Sequence, residues 1–152
     1  MTQTDLKPSI DTIVSRARAE KAPGDIIAAL PYASLLGMTA TYEADTDKLL
    51  LCLPGSKSNI GNPTLPALHG GAIGGFMEIS AGIHLLMTMD TLEVPRVVDF
   101  SIDFVRAGRL EDTWASCDVV RQGRKLVNVA IQAWQQDRES PIATARAHFL
   151  ID

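Results

Sequence analysis

Glu78 is the residue whose surroundings most need a chemical explanation. It lies in the apolar run Gly70 to Met89, which holds five glycines and no lysine or arginine. A carboxylate among apolar neighbours is costly unless it is paired or hydrogen-bonded. One reading is a side chain turned to a solvent gap or bonded to a distant basic residue. The other is a carboxylate made more basic by partial burial, which suits a general base. Gly70 and Gly71 open the same run. At a helix start the backbone N–H groups have no intrahelical partner and carry the positive end of the dipole. Without side chains in the way, they can reach a carbonyl oxygen that is gaining negative charge.

The spacing within this run sharpens both features. With a step of about 100° per residue, Gly71, Gly74, Gly75, Ala81 and Gly82 share the side of Glu78. Ile73, Phe76, Ser80, Ile83 and Met87 fall opposite. The three internal glycines cost roughly 3 kcal/mol of helix propensity relative to alanine. Close approach of another backbone explains that bareness, and so does a substrate chain lying along the face. Gly71 and Glu78 are about 10 Å apart along one helix. A single carbonyl carbon can hardly touch both. Two antiparallel helices from two subunits could bring Gly71 of one close to Glu78 of the other, so two sites per homodimer are expected.

The rest of the chain must position that helix. Ile10, Ile13, Val14 and Ala17 recur at helical spacing, with Arg16 and Arg18 elsewhere. Pro23-Gly24 is read as a break, Asp25 as the cap of a second short helix from Ile26 to Leu30, and Pro31 as its stop. Residues 37–42 and 48–53 read as strands joined by a polar turn, and Pro54 to Pro66 as a loop. After the long helix come Val98, Phe100, Ile102 and Phe104 in alternation with Asp99, Ser101 and Asp103. Further strands are expected at 114–121, 124–135 and 142–151, with a tight turn at Gln122-Gly123. This is an α+β pattern in a single domain: a helical N-terminal extension over 1–31, then 32–152, where an antiparallel sheet curls over one long central helix. Open sheet edges make a dimer the default expectation.

Composition narrows the partners. The 152 residues carry 14 Lys and Arg against 18 Asp and Glu, a net charge of -4. A nucleic-acid partner is not expected of such an acidic chain. A membrane span over Gly70–Met89 is not expected either, because Glu78 sits at its centre. Cys52 and Cys117 lie in apolar alternating stretches without metal-ligand spacing, which fits reduced core thiols of a cytoplasmic protein. Met1–Lys7 has no basic-then-apolar run, so no signal peptide is expected.

The stretch Pro66-Ala67-Leu68-His69-Gly70-Gly71, with Glu78 nine positions after the histidine, resembles the signature of hotdog-fold acyl-CoA thioesterases of the phenylacetate-pathway type. The similarity spans roughly residues 31–151, including 98–106 and 119–124. It implies the hotdog fold, homodimers that often pair into tetramers, no metal, and no cofactor beyond the coenzyme A carried by an acyl-CoA substrate. By that resemblance Glu78 is the catalytic acid position, where Asp is commoner, and activates water or attacks directly. Gly71 supplies the N–H that polarises the thioester carbonyl. His69 orients the loop and substrate, or else only makes a hydrogen bond at the helix start. The chain departs from the pattern in two places. Asn62 stands close to the family's asparagine, but Pro63 takes the usual position, and Val97 stands where some members carry Ser or Thr.

Gly70 and Asn62 join the expected substrate-binding set. Arg106, Arg109, Arg121, Arg124 and Lys125 could meet the phosphates of coenzyme A. His84 and His148 read as structural. A hotdog dehydratase or hydratase, which pairs a catalytic His with an acidic residue, and a non-catalytic acyl-CoA binding module are the alternatives.

Overall fold

Burial of a narrow apolar stripe makes Ile10–Glu20 a helix (α1), with Val14 and Ala17 fully inside. The coordinates are a computed structural model describing residues 8–151. The expectation drawn from Met1–Lys7 lies outside the described residues. Two prolines behave differently from the sequence reading. Pro23 does not end a helix but begins one, Pro23–Ala29 (α2), with Ala22 rather than Asp25 at the cap position. Pro31 likewise opens Pro31–Leu36 (α3) instead of only stopping its predecessor. Proline suits the first helical turn because its missing N–H would have had no intrahelical partner there. Gly37, at φ 71°, closes α3 in the left-handed conformation that glycine adopts without strain. The helical preface therefore reaches Leu36.

Arg18 has a part that periodicity does not show. Its Nε donates to the Leu86 carbonyl at 2.5 Å, and its Nη2 donates to the Thr91 carbonyl. The guanidinium thus ties α1 to the far end of the long helix.

Thr39–Tyr42 (β1) and Leu49–Leu53 (β2) form the expected hairpin, with Asp47 left-handed in its turn. The loop reading of 54–66 is incomplete. Ile60–Asn62 (β3) pairs with Ala67–Leu68 (β4) in a small separate ribbon. Elements of two or three residues have no periodicity to detect. Gly61 is needed there, since a Cβ would lie 2.7 Å from the His69 Cα.

The central helix is Gly70–Thr88 (α4). Four strands follow: Arg96–Phe104 (β5), Thr113–Gln122 (β6), Leu126–Trp134 (β7) and Ala143–Leu150 (β8). With the first hairpin they make one antiparallel sheet in the order β1-β2-β6-β7-β8-β5. Phe76, Met77, Ile83 and Leu86 of α4 are buried with Leu51, Val127, Val129 and Phe149 of the sheet in one apolar core. This is the hotdog arrangement. Helix α4 has the length and apolarity of a membrane span, yet its bulky side fills that core. Strand β5 breaks its simple alternation: the register shifts between Val97 and Asp99, leaving Val98 58% exposed. Strands β5 and β1 are the sheet edges.

Candidate active site

The first turn of α4 is built by its neighbours. The His69 N–H donates to the Asn59 carbonyl at 2.7 Å, and Leu68 N–H to the Gly108 carbonyl at 2.8 Å. These bonds hold the chain extended up to the helix. His69 then serves as the N-cap, its Nδ1 accepting the Gly71 N–H at 2.8 Å. That bond requires Nδ1 to be the unprotonated nitrogen of a neutral ring. The sequence reading gave Gly71 N–H to a substrate carbonyl; in this structure His69 occupies it. Among the described residues, Gly70 N–H has no hydrogen-bond partner, and the Phe104 ring lies over Gly70 with Cζ 3.0 Å from where a Cβ would stand.

Two turns on, Glu78 is half-buried. Among the described residues its carboxylate makes no hydrogen bond or ion pair, so the distant basic partner that the sequence left open is not seen. It lines an apolar cavity of about 230 Å³ together with Leu30, Tyr32, Ile79, Gly82, Val97 and Phe149. Val97 therefore contributes a methyl-lined wall beside the carboxylate. Tyr32 was not singled out by the sequence, where it falls just past the helical extension of residues 1–31. Its ring crosses the bare side of α4, with Cε1 2.9 Å from the position of a Cβ on Gly75. An aromatic just after Pro31 carries no signal of such a contact.

The remaining candidates separate into distinct places. Asn62, Gly70 and Arg106 share a cavity of about 420 Å³ at the start of α4. The Asn62 side chain accepts the Thr64 N–H at 3.0 Å and so shapes the Pro63–Pro66 turn. Arg106 donates from Nη1 to the Pro141 carbonyl at 2.7 Å. Arg121 and Arg124 line a different depression of about 580 Å³, with Lys125, Asn128 and His148. Arg109 lies with Glu111 and Asp137 in a third depression of mixed charge.

The two other histidines lie away from the start of α4. His84 is pushed below the ordinary histidine value by burial, opposed by Asp118 and reinforced by Lys48. His148 Nδ1 stands 3.1 Å from Asp99 Oδ2 across the β5–β8 pair. Both cysteines are buried and free. Burial, reinforced by Asp112, pushes the Cys52 thiol up to about 11, and Cys117 is raised further by the same cause. Among the described residues, no three His, Cys, Asp or Glu side chains gather where they could hold a metal ion.

Residues 65–142, which include His69, Gly71 and Glu78, match the family profile of the thioesterase superfamily. The chain is similar to a protein from Chromobacterium violaceum of known structure, with 43% identity over 91% of this chain and 96% of that one and a TM-score of 0.75. It shares its fold with a Bacillus halodurans protein solved with CoA, at 18% identity, 97% coverage of each chain and a TM-score of 0.72. It also shares it with a phenylacetic acid degradation-related protein from Ralstonia eutropha JMP134, at 19% identity over 91% of this chain and 99% of that one, TM-score 0.72. No curated protein matches the chain. The family match over the central helix and the strands that follow it, carried by a six-stranded hotdog sheet, establishes that this chain belongs to the thioesterase superfamily.

Proposed function

We propose that the protein hydrolyses acyl-CoA thioesters to a free acid and CoA. The observation that carries this reading is Glu78: a half-buried carboxylate without a protein partner among the described residues, set in the wall of an apolar cavity. Such a group has an acceptor to spare for water and an apolar space beside it for an acyl chain. In the proposed reaction, Glu78 takes a proton from water as the water oxygen attacks the thioester carbon. The carbonyl oxygen gains negative charge and takes the place of His69 Nδ1 at the Gly71 N–H, with Gly70 N–H beside it. Collapse of the tetrahedral intermediate breaks the carbon–sulfur bond, and the proton held by Glu78 passes to the departing sulfur, which leaves as the thiol. The reaction needs water and no further cofactor.

The 10 Å between Gly71 and Glu78 along α4, estimated from the rise of about 1.5 Å per residue, favours a site shared between two chains. Gly70, beside Gly71 at the helix start, and Glu78 line separate cavities, which supports the same reading. The exposed edge strand β5 is the proposed contact between protomers, and pairing of dimers would follow the family pattern. Arg121, Arg124 and Lys125 form the proposed seat for CoA phosphates, because three cations around one depression can each offer a charge-assisted hydrogen bond. The Bacillus halodurans protein with CoA supports a nucleotide-bearing ligand for this fold.

The test is release of free thiol from a panel of acyl-CoAs. Glu78→Gln is expected to lower kcat by roughly 10²- to 10⁴-fold, the range for loss of a general base. Unchanged thiol release would sink the role of Glu78. No release from any acyl-CoA, with binding retained, would leave a non-catalytic binding module.

A further inference from the structure

The hydrolytic reading leaves the acyl group open, and the cavity beside Glu78 narrows it. Apart from Glu78 and the Tyr32 hydroxyl, its walls are apolar side chains, with Leu30 and Ala33 from the preface, Leu86 from α4 and Phe149 from β8 among them. An acyl group with a charged far end would lose its hydration there without gaining a partner. It would also sit near the Glu78 carboxylate. The volume of about 230 Å³ sets a size. A dry apolar cavity of about 150 Å³ is enough for benzene. The present one therefore suits a ring on a short linker, or a chain of roughly six to eight carbons.

Two residues define the space. Gly82 lies one turn after Glu78 on the same side of α4, and a Cβ there would meet no atom within 4 Å. Two of the other glycines of that side have a reason in the fold, with His69 against Gly71 and Tyr32 against Gly75, and a Cβ on Gly74 would touch Ile102 and Phe100 at 3.9 Å. Gly82 has no such neighbour, although glycine inside a helix costs about 1 kcal/mol relative to alanine. Its missing side chain is cavity. Tyr32, brought in by α3 and 48% exposed, forms the outer wall.

We infer that this cavity is the acyl pocket, with Gly82 setting its depth and Tyr32 its outer limit, and that the substrates are thioesters of uncharged, apolar acyl groups of medium size. The inference rests on the reading of Glu78 as the site of thioester hydrolysis. The N-terminal preface then acts in substrate selection as well as in packing.

The experiment compares wild type, Gly82→Leu and Tyr32→Ala on acetyl-, hexanoyl-, octanoyl-, dodecanoyl-, phenylacetyl- and succinyl-CoA. Hexanamide binding is measured in parallel by calorimetry. Wild type is expected to favour hexanoyl, octanoyl and phenylacetyl groups over acetyl and succinyl. Gly82→Leu is expected to lower the octanoyl-to-acetyl ratio of kcat/KM by about tenfold or more, the scale on which a pocket discriminates methylenes. It should also abolish hexanamide binding. Tyr32→Ala, a change at an exposed position, should move the preference toward dodecanoyl. Hydrolysis with the same chain-length profile in all three proteins would overturn the pocket while leaving the hydrolytic reading intact. Hexanamide binding that depends on Gly82, without cleavage of any thioester, would uphold the pocket and remove the hydrolytic reading.

Discussion

At the scale of single residues, His69 and Glu78 differ in how far their types explain them. Glu78 is legible because a lone carboxylate on a glycine-lined helix face has few purely structural uses. The role of His69 at rest is partly legible: the sequence leaves a hydrogen bond at the helix start open, but the N–H it takes depends on where the ring nitrogen points. In the structure Nδ1 accepts the Gly71 N–H, which satisfies one of the unpaired donors of the helix start. His69→Ala is expected to lower unfolding free energy by about 1 kcal/mol, the usual worth of a side-chain cap. It should reduce kcat less than Glu78→Gln does, since the proposed carbonyl displaces the ring from that N–H. Urea denaturation and thiol-release kinetics on the same preparation would check both parts. Unchanged stability would mean that the cap contributes nothing. Tyr32 was invisible in the sequence because its importance lies in crossing a helix to which only the tertiary fold brings it.

At the scale of elements, α4 was read from its bulky and bare sides, and the sheet from alternation. The small ribbon β3–β4 was not, since two paired residues make no pattern. Two tests belong to α4. Arg18 donates to the Leu86 and Thr91 carbonyls, where the helix ends with the negative pole of its dipole. Arg18→Ala should destabilise the fold by about 1–2 kcal/mol, as expected for a partly buried charged donor. The change would be read in the denaturant midpoint; a midpoint equal to wild type would show that water replaces the guanidinium fully. His84 provides the second test. Burial holds its folded-state value below the ordinary 6.5. As pH falls through that value, the unfolded chain takes up a proton that the folded chain resists. The contribution of His84 to stability is therefore present above about pH 6.5 and is lost as pH falls from there toward the folded-state value. His84→Gln should flatten this part of the stability-versus-pH curve, measured by denaturation at a series of pH values. An identical slope in the variant would assign it to other groups.

At the scale of the whole molecule, one protomer holds the helix-start cavity and the Glu78 cavity apart. The edge strand β5, with Val98 and Phe104 more than half exposed, offers a surface through which a second copy could bring complementary halves together. Mixing Glu78→Gln chains with Gly71→Pro chains tests this arrangement. Each variant alone should be nearly inactive. Hybrid dimers should regain activity, because one of their two sites joins an intact Gly71 N–H to an intact Glu78 from the other chain. Hybrids that recover no thiol release would confine the site to a single protomer.

The amino-acid order by itself determined the long central helix, the alternating strands and the isolation of Glu78. These depend on periodicity and charge over short stretches of chain. Tertiary structure decided which donors are already spent, which glycines are covered, and where the arginines separate. It assigned His69 to the cap, Tyr32 to Gly75 and Glu78 to an apolar cavity roofed by the preface. Those outcomes depend on contacts between segments far apart in the chain, and no local pattern encodes them.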